Sequence, residues 1–178
     1  KRLLELIGEK DVLEPYTVTK EVEDFLQLDL GDRKLTLTAW ETAHTNHDLT
    51  VFDHTSQTLI TGDLLFVKHI PVIDGSLNGW IKVTQQLINF FEKLPNGRSK
   101  KRIIPGHGPT QNDAGGLKNQ LNYLVNLKRS VQEALRDNIS LQEALKSINS
   151  ESTGVWQISA NYSKRNISAA YAELEWED

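Results

Sequence analysis

Three short stretches carry residues of a kind that can do chemistry. "AHTNHD" (43–48) holds His44 and His47, "TLITGDLLF" (58–66) holds Asp63, and "RIIPGHGP" (102–109) holds His107. Imidazoles together with a carboxylate form a borderline nitrogen–oxygen donor set that suits zinc and, less well, iron or manganese. Taken singly, each stretch has a plainer reading: a polar turn, an aspartate capping free amides, a tight turn carrying an exposed histidine. Order and spacing narrow the choice. His44 and Asp63 are 19 positions apart, one hairpin's worth of chain, and Asp63 and His107 are 44 apart, one β–α–β crossover's worth. Gly62, Gly106 and Gly108 let backbone approach an ion or substrate without a Cβ in the way, while Pro105 and Pro109 stiffen the turn that presents His107.

The elements that must position these residues can be read from the apolar pattern. Strands are expected over 17–22, 25–30, 34–40, 49–53 and 58–61, with "RII" (102–104) a short buried strand ended by "PGHGP". "LQLDL" and "LTLTAW" alternate with a period of two, which predicts one buried and one wet face. Trp80, Val83, Leu87, Phe91 and Leu94 form a helical stripe stopped by Pro95 and Gly97. Leu117, Leu121, Leu124, Val125, Val131 and Leu135 mark a second helix, and Ser140 with Glu143 forms a capping box opening a third. A last helix is expected over 163–175. Each candidate ligand therefore sits where a strand ends, the place where α/β proteins collect functional groups. The whole reads as one domain over 1–178, strand-rich over 16–62, α/β over 63–113 and helical over 114–178: a layered α/β (α+β) sandwich.

Composition sets the limits. With 178 residues, 38% of them apolar and a quarter charged, the chain can bury a real core. It contains no cysteine, which excludes disulfides and thiolate–zinc clusters. No apolar run approaches the ~20 residues that span a bilayer. The net charge is −4, and the single basic cluster, "RSKKR" (98–102), runs straight into the apolar pair Ile103–Ile104. A small-molecule partner is expected, and neither nucleic acid nor a membrane. The opening "KRLLELIGEKD" is an amphipathic segment without a leading Met, from which the chain is expected to be the C-terminal portion of something longer.

"AHTNHDLTVFD", "TLITGDLLF" and "RIIPGHGP" together resemble the second half of the metallo-β-lactamase superfamily: a histidine in a "GHT"-like turn, an aspartate in "GD", a histidine in "PGHG". The resemblance implies an αβ/βα sandwich with one or two metals, most often zinc, held between the edges of two sheets. It implies that His44 binds the first metal, Asp63 bridges both, and His107 binds the second, while His47 is not a ligand. "GDLLFVKHIPVIDGSLNGW" and "RNISAAYAELEWE" further resemble the branch called quinoprotein relay system zinc metallohydrolases, which implies a periplasmic location. The likeness covers most of residues 25–177. One departure stands out: the superfamily's His-x-His-x-Asp-His motif should lie upstream, and no histidine precedes His44.

In an intact parent, the implied reaction is hydrolysis of an ester-, thioester-, lactone- or lactam-like substrate by a metal-activated water that Asp63 positions. Lys68 is a candidate contact for an anionic part of the substrate. Asp48, Asp53 and Asp74 are candidates to accept the second ring N–H of the ligating histidines. Three ligands spread over two ions cannot close a tight site, so this chain alone is expected to bind zinc weakly and to be inactive. An apolar face on the sheet of residues 16–61, covered by a missing N-terminal half or a second chain, is a further expectation. Two alternatives stay open: a metal-free accessory or binding domain, and an iron-containing oxidoreductase.

Overall fold

The computed structural model describes residues 20–95, 100–148 and 156–177. Five strands lie side by side in chain order: β1 (Phe25–Asp29), β2 (Lys34–Trp40), β3 (Asp48–Asp53), β4 (Thr58–Phe66) and β5 (Arg102–His107). β1 to β4 pair antiparallel, and β5 joins β4 in parallel. A parallel neighbour cannot be reached by a tight turn, and helix α1 (Leu77–Lys93) makes the crossover. Three more helices follow: α2 (Gly115–Arg136), α3 (Leu141–Ser147) and α4 (Ser159–Leu174). This mixed sheet with packed helices is the α+β arrangement expected from the pattern. None of the helices in the described residues is long and apolar enough to cross a membrane.

The helices cover one face of the sheet. Phe52, Leu59 and Ile103, from β3, β4 and β5, are buried with Trp80, Val83, Leu87 and Phe91 of α1 and with Leu117 and Leu124 of α2. The positions in between face the other way. Leu26, Leu37, Val51, Ile60 and Ile104 pair across the ladders as one row spanning all five strands. Ile60 remains 40% exposed, Ile104 38% and neighbouring Leu49 41%, so among the described residues no helix lies over this apolar row. The alternation in "KLTLTAW" therefore runs opposite to a simple inside–outside rule. Thr36, Thr38 and Trp40 turn toward α1, and the leucines form the uncovered face.

Several boundaries differ from expectation. The strand expected over 17–22 lies outside the described residues at 17–19 and is irregular at 20–22, and the opening amphipathic segment lies outside them altogether. β4 runs on through Asp63 to Phe66, and β5 through "PGH" to His107. The extension of β4 is irregular, because Gly62 takes φ +53° and the β4–β5 register shifts on both sides of it. Asp63 thus sits in a kink within a strand, where a bulge re-aims a side chain. In the basic cluster, Lys101 donates to the carbonyls of Phe91 and Leu94, 3.2 Å each, and closes the C-terminus of α1. The capping box at Ser140–Glu143 forms as read.

Candidate metal centre

His44 lies in the turn joining β2 to β3, Asp63 in the kink of β4, and His107 at the last residue of β5. Strand directions bring these three points to the same end of the sheet. His44 Nε2 stands 3.7 Å from Asp63 Oδ2, and His107 Nε2 stands 3.4 Å from Asp63 Oδ1. Both separations exceed the ~2.7–3.2 Å of a good N–H···O bond. Two atoms bound to one tetrahedral ion by ~2.0–2.2 Å bonds lie ~3.3–3.6 Å apart, a range that holds the His107 separation and falls just short of the 3.7 Å at His44. Each histidine faces a different oxygen of the carboxylate. No group of three or more such side chains among the described residues closes on a single ion. The described residues thus bring one carboxylate between two histidines without completing a metal site.

Local packing explains the aim of each group. His44 is 7% exposed and rests against Trp80 and Phe66, with ring centroids 5.1 and 5.4 Å away. Its Nδ1 lies 2.8 Å from the carbonyl oxygen of Val72. A carbonyl only accepts, so Nδ1 carries a proton, and in the neutral ring Nε2 keeps a lone pair directed at Asp63. His107 stacks on Phe66 at 4.4 Å, and its other neighbour is the His69 ring at 5.8 Å. Phe66 is thus an apolar wall shared by both imidazoles. Gly106 packs against Asp63 so closely that a β-carbon there would lie 2.0 Å from Oδ1.

The turn holding His44 is clamped from the segment that enters α1. The amides of Asp74 and Ser76 donate to the carbonyls of His44 and Ala43 at 3.2 and 2.9 Å. Glu173, on α4, accepts from Ser76 Oγ, from the amides of Leu77 and Asn78, and from the Asn78 side chain. A carboxylate there satisfies amides that a helix start leaves open and sits at the favourable end of its dipole.

None of the aspartates proposed to support the histidines does so for His44. Asp48 holds the turn, accepting from the Thr45 amide at 2.9 Å and the Thr45 hydroxyl at 3.0 Å. Asp53 faces Ser56, Thr55 and Arg33. Burial would raise its pKa, but the hydrogen bonds from Ser56 and Thr55, with Arg33 nearby, hold it below the ordinary value. Asp74 pairs with Arg165. The acceptor is instead a backbone carbonyl, which no side-chain pattern reveals. His47 is exposed, with Nδ1 2.7 Å from Asn46 Oδ1, and it lines the same open depression as His44 and Asp63, about 400 Å³ in volume. Lys68 lines a separate cavity of about 180 Å³ with Phe66, Gly116, Asn119 and Trp156.

Comparison with known proteins agrees with this architecture. The sequence model of the metallo-β-lactamase superfamily matches residues 5–133. A metallo-β-lactamase from Pontibacter korlensis is similar in structure, with TM-score 0.50 and 23% identity over 59% of this chain and 47% of that one. A stereoselective inverting sec-alkylsulfatase from Pseudomonas sp. superposes with TM-score 0.66 and 13% identity, over 88% of this chain and 26% of that one. The chain thus spans about half of the first neighbour and a quarter of the second. No curated protein matches in sequence.

Proposed function

Because the chain belongs to the metallo-β-lactamase superfamily, a family of metal-dependent hydrolases, we propose that it contributes part of a zinc-dependent hydrolytic centre acting on an ester-, thioester-, lactone- or lactam-like substrate. The observation that carries this reading is the single carboxylate of Asp63 offering one oxygen to each of two histidines, at 3.7 and 3.4 Å. An imidazole lone pair and a carboxylate oxygen facing each other at such a distance are held by a cation between them, a proton or a metal ion.

His44 would hold one zinc through Nε2, His107 the other, and Asp63 both. Zinc bound there supplies an acidified water and electrophilic pull on the bond under attack. The protein's share is positional. Val72 fixes the tautomer of His44, Phe66 fixes the plane of His107, and Gly106 leaves space for the Asp63 carboxylate. Asp63 would also orient the attacking water. Lys68 would meet an anionic substituent of a substrate reaching past Phe66, which walls its cavity. A catalytic zinc needs three protein ligands, so the remaining ones would come from outside the described residues.

Metal analysis of the full-length protein, with turnover of the four substrate types, is the test. Two zinc ions and hydrolysis abolished by Asp63→Ala are expected. Iron in place of zinc would point to redox chemistry, and a metal-free, inactive full-length protein would end the proposal in favour of a binding domain.

A further inference from the structure

The segment "RNISAAYAELE" belongs to α4, and none of its side chains reaches the depression around Asp63 among the contacts described above. One of its residues nevertheless connects to His44. Asn166 is fully buried, and its Oδ1 accepts from the amide of Ile73 at 3.1 Å. Its Nδ2 donates to the carbonyl of Pro71 at 2.6 Å and to the hydroxyl of Tyr123 at 2.8 Å. The orientation of the amide follows from chemistry. Pro71 O can only accept and Ile73 N–H can only donate, so Nδ2 must face the first and Oδ1 the second.

The Ile73 N–H and the Val72 C=O are two ends of one peptide group. No cis peptide bond occurs among the described residues, and in a planar trans peptide these two bonds point in opposite directions. Asn166 therefore holds one end of the Val72–Ile73 peptide while His44 holds the other: Nδ1–H···O=C–N–H···Oδ1. Hydrogen bonds in series through a polarisable amide reinforce each other, more so in a buried setting. Pro71, tied to the same Asn166, fixes the preceding peptide as well.

We propose that Asn166 is a positioning residue for His44, setting its tautomer and the direction of its Nε2 through the Val72–Ile73 peptide. The proposal deepens the metal-centre reading and rests on it for its functional meaning, since a ligating imidazole must keep Nε2 unprotonated and correctly aimed. Partners of this kind typically govern metal affinity by ~10–100-fold. The effect reaches across 93 positions of chain, counted from Ile73 to Asn166.

The test reads the tautomer directly, by long-range proton–nitrogen correlation of the His44 ring in the metal-free chain. In the unmodified chain the Nδ1–H form should dominate, and the Ile73 amide should exchange slowly with solvent. Asn166→Ala should release the peptide and populate the Nε2–H form. Asn166→Asp keeps an acceptor for Ile73 while losing both donors, and it should retain the Nδ1–H form. A merely structural role would make the two variants alike at His44. If Asn166→Ala fails to fold, the unmodified chain still decides, because a fast-exchanging Ile73 amide or a mixed His44 tautomer overturns the proposal. So does a folded Asn166→Ala with an unchanged tautomer. In the full-length protein, zinc affinity should fall ~10–100-fold in Asn166→Ala. A tautomer that responds as expected beside a full-length protein that binds no zinc would sink the metal-centre reading and leave the positioning role standing.

Discussion

Gly106 and Asp63 touch so closely that no larger residue fits between them: a β-carbon at 106 would come within 2.0 Å of Asp63 Oδ1 and 2.7 Å of the Gly62 carbonyl carbon. The second contact is backbone, so rotating the carboxylate cannot relieve it. Gly106→Ala should therefore shift the β4–β5 contact and swing Asp63 away from His107. Overpacking of this kind costs ~1–3 kcal/mol. Urea unfolding measures that loss, and zinc affinity of the full-length protein should fall with it. An alanine variant with unchanged stability and metal content would contradict the geometry.

Zinc binding should separate this chain from a longer parent that supplies the missing ligands. Alone, the chain offers His44 and one Asp63 oxygen to one ion, His107 and the other oxygen to the second. Neither set reaches the three protein ligands of a catalytic zinc. Calorimetric titration of the chain at neutral pH should give weak binding or none, and hydrolase activity should be negligible. In the parent, Asp63→Ala or His107→Ala should cost both metal and turnover. Stoichiometric binding of sub-micromolar strength by the chain alone would show that other residues make the site.

The order of elements and the meeting of His44, Asp63 and His107 at one end of the sheet were legible from residue type and spacing; the contacts that hold these residues were not. β2 at Lys34–Trp40 and the cap at Ser140 follow from local pattern. Asp63 was expected beyond a strand end and instead sits within β4, because Gly62 at φ +53° lets pairing resume after a kink. The carbonyl that fixes His44 belongs to Val72, whose side chain signals nothing of it. Asn166 and Glu173 act over 93 to 97 positions, and local periodicity holds no information at that range.

Glu173 should prove important to the start of α1. It accepts from two backbone amides, at 2.6 Å from Leu77 and 3.0 Å from Asn78. Glu173→Ala leaves both without a partner and should cost ~1–3 kcal/mol. Glu173→Gln keeps an acceptor and should recover part of the loss. Chemical denaturation of both variants is the measurement, and equal stability of Glu173→Ala and the unmodified chain would refute the role.

Acid should weaken the chain partly through Asp53. Its folded-state pKa lies below the ordinary value of 3.8, because hydrogen bonds from Ser56 and Thr55, with Arg33, outweigh burial. A depressed carboxylate pKa contributes stability that is present above the unfolded value and disappears as pH falls through the folded one. The stability gap between the unmodified chain and Asp53→Asn should thus be widest near neutrality and narrow below about pH 3.8. Urea midpoints across that range give the answer, and a gap that widens on acidification would reverse the sign argued here.

The uncovered row should govern self-association. Ile60 and Ile104 are paired neighbours, 40% and 38% exposed. Contiguous apolar surface of this sort drives association. Ile60→Lys with Ile104→Lys should make the chain more monodisperse in sedimentation with little loss of stability. In a full-length protein that buries the row, the same pair should be strongly destabilising. Equal tolerance in both settings would mean that nothing packs there.

The late position of α4 has a consequence for how the molecule is made. The His44 turn is translated early, yet the peptide that aims it waits for Asn166, and the start of α1 waits for Glu173. Closing contacts between such distant residues is slow, because the chain's freedom is lost before the contacts reward it. On the ribosome the sheet can pair while the aim of His44 stays unset, until α4 has left the exit tunnel. Translation stalled before residue 159 should then release a chain with strands formed and His44 undirected, a species for chaperones or proteases. The edge that carries His44, Asp63 and His107 is in this sense set only once α4 is made, although all three residues precede it in the chain.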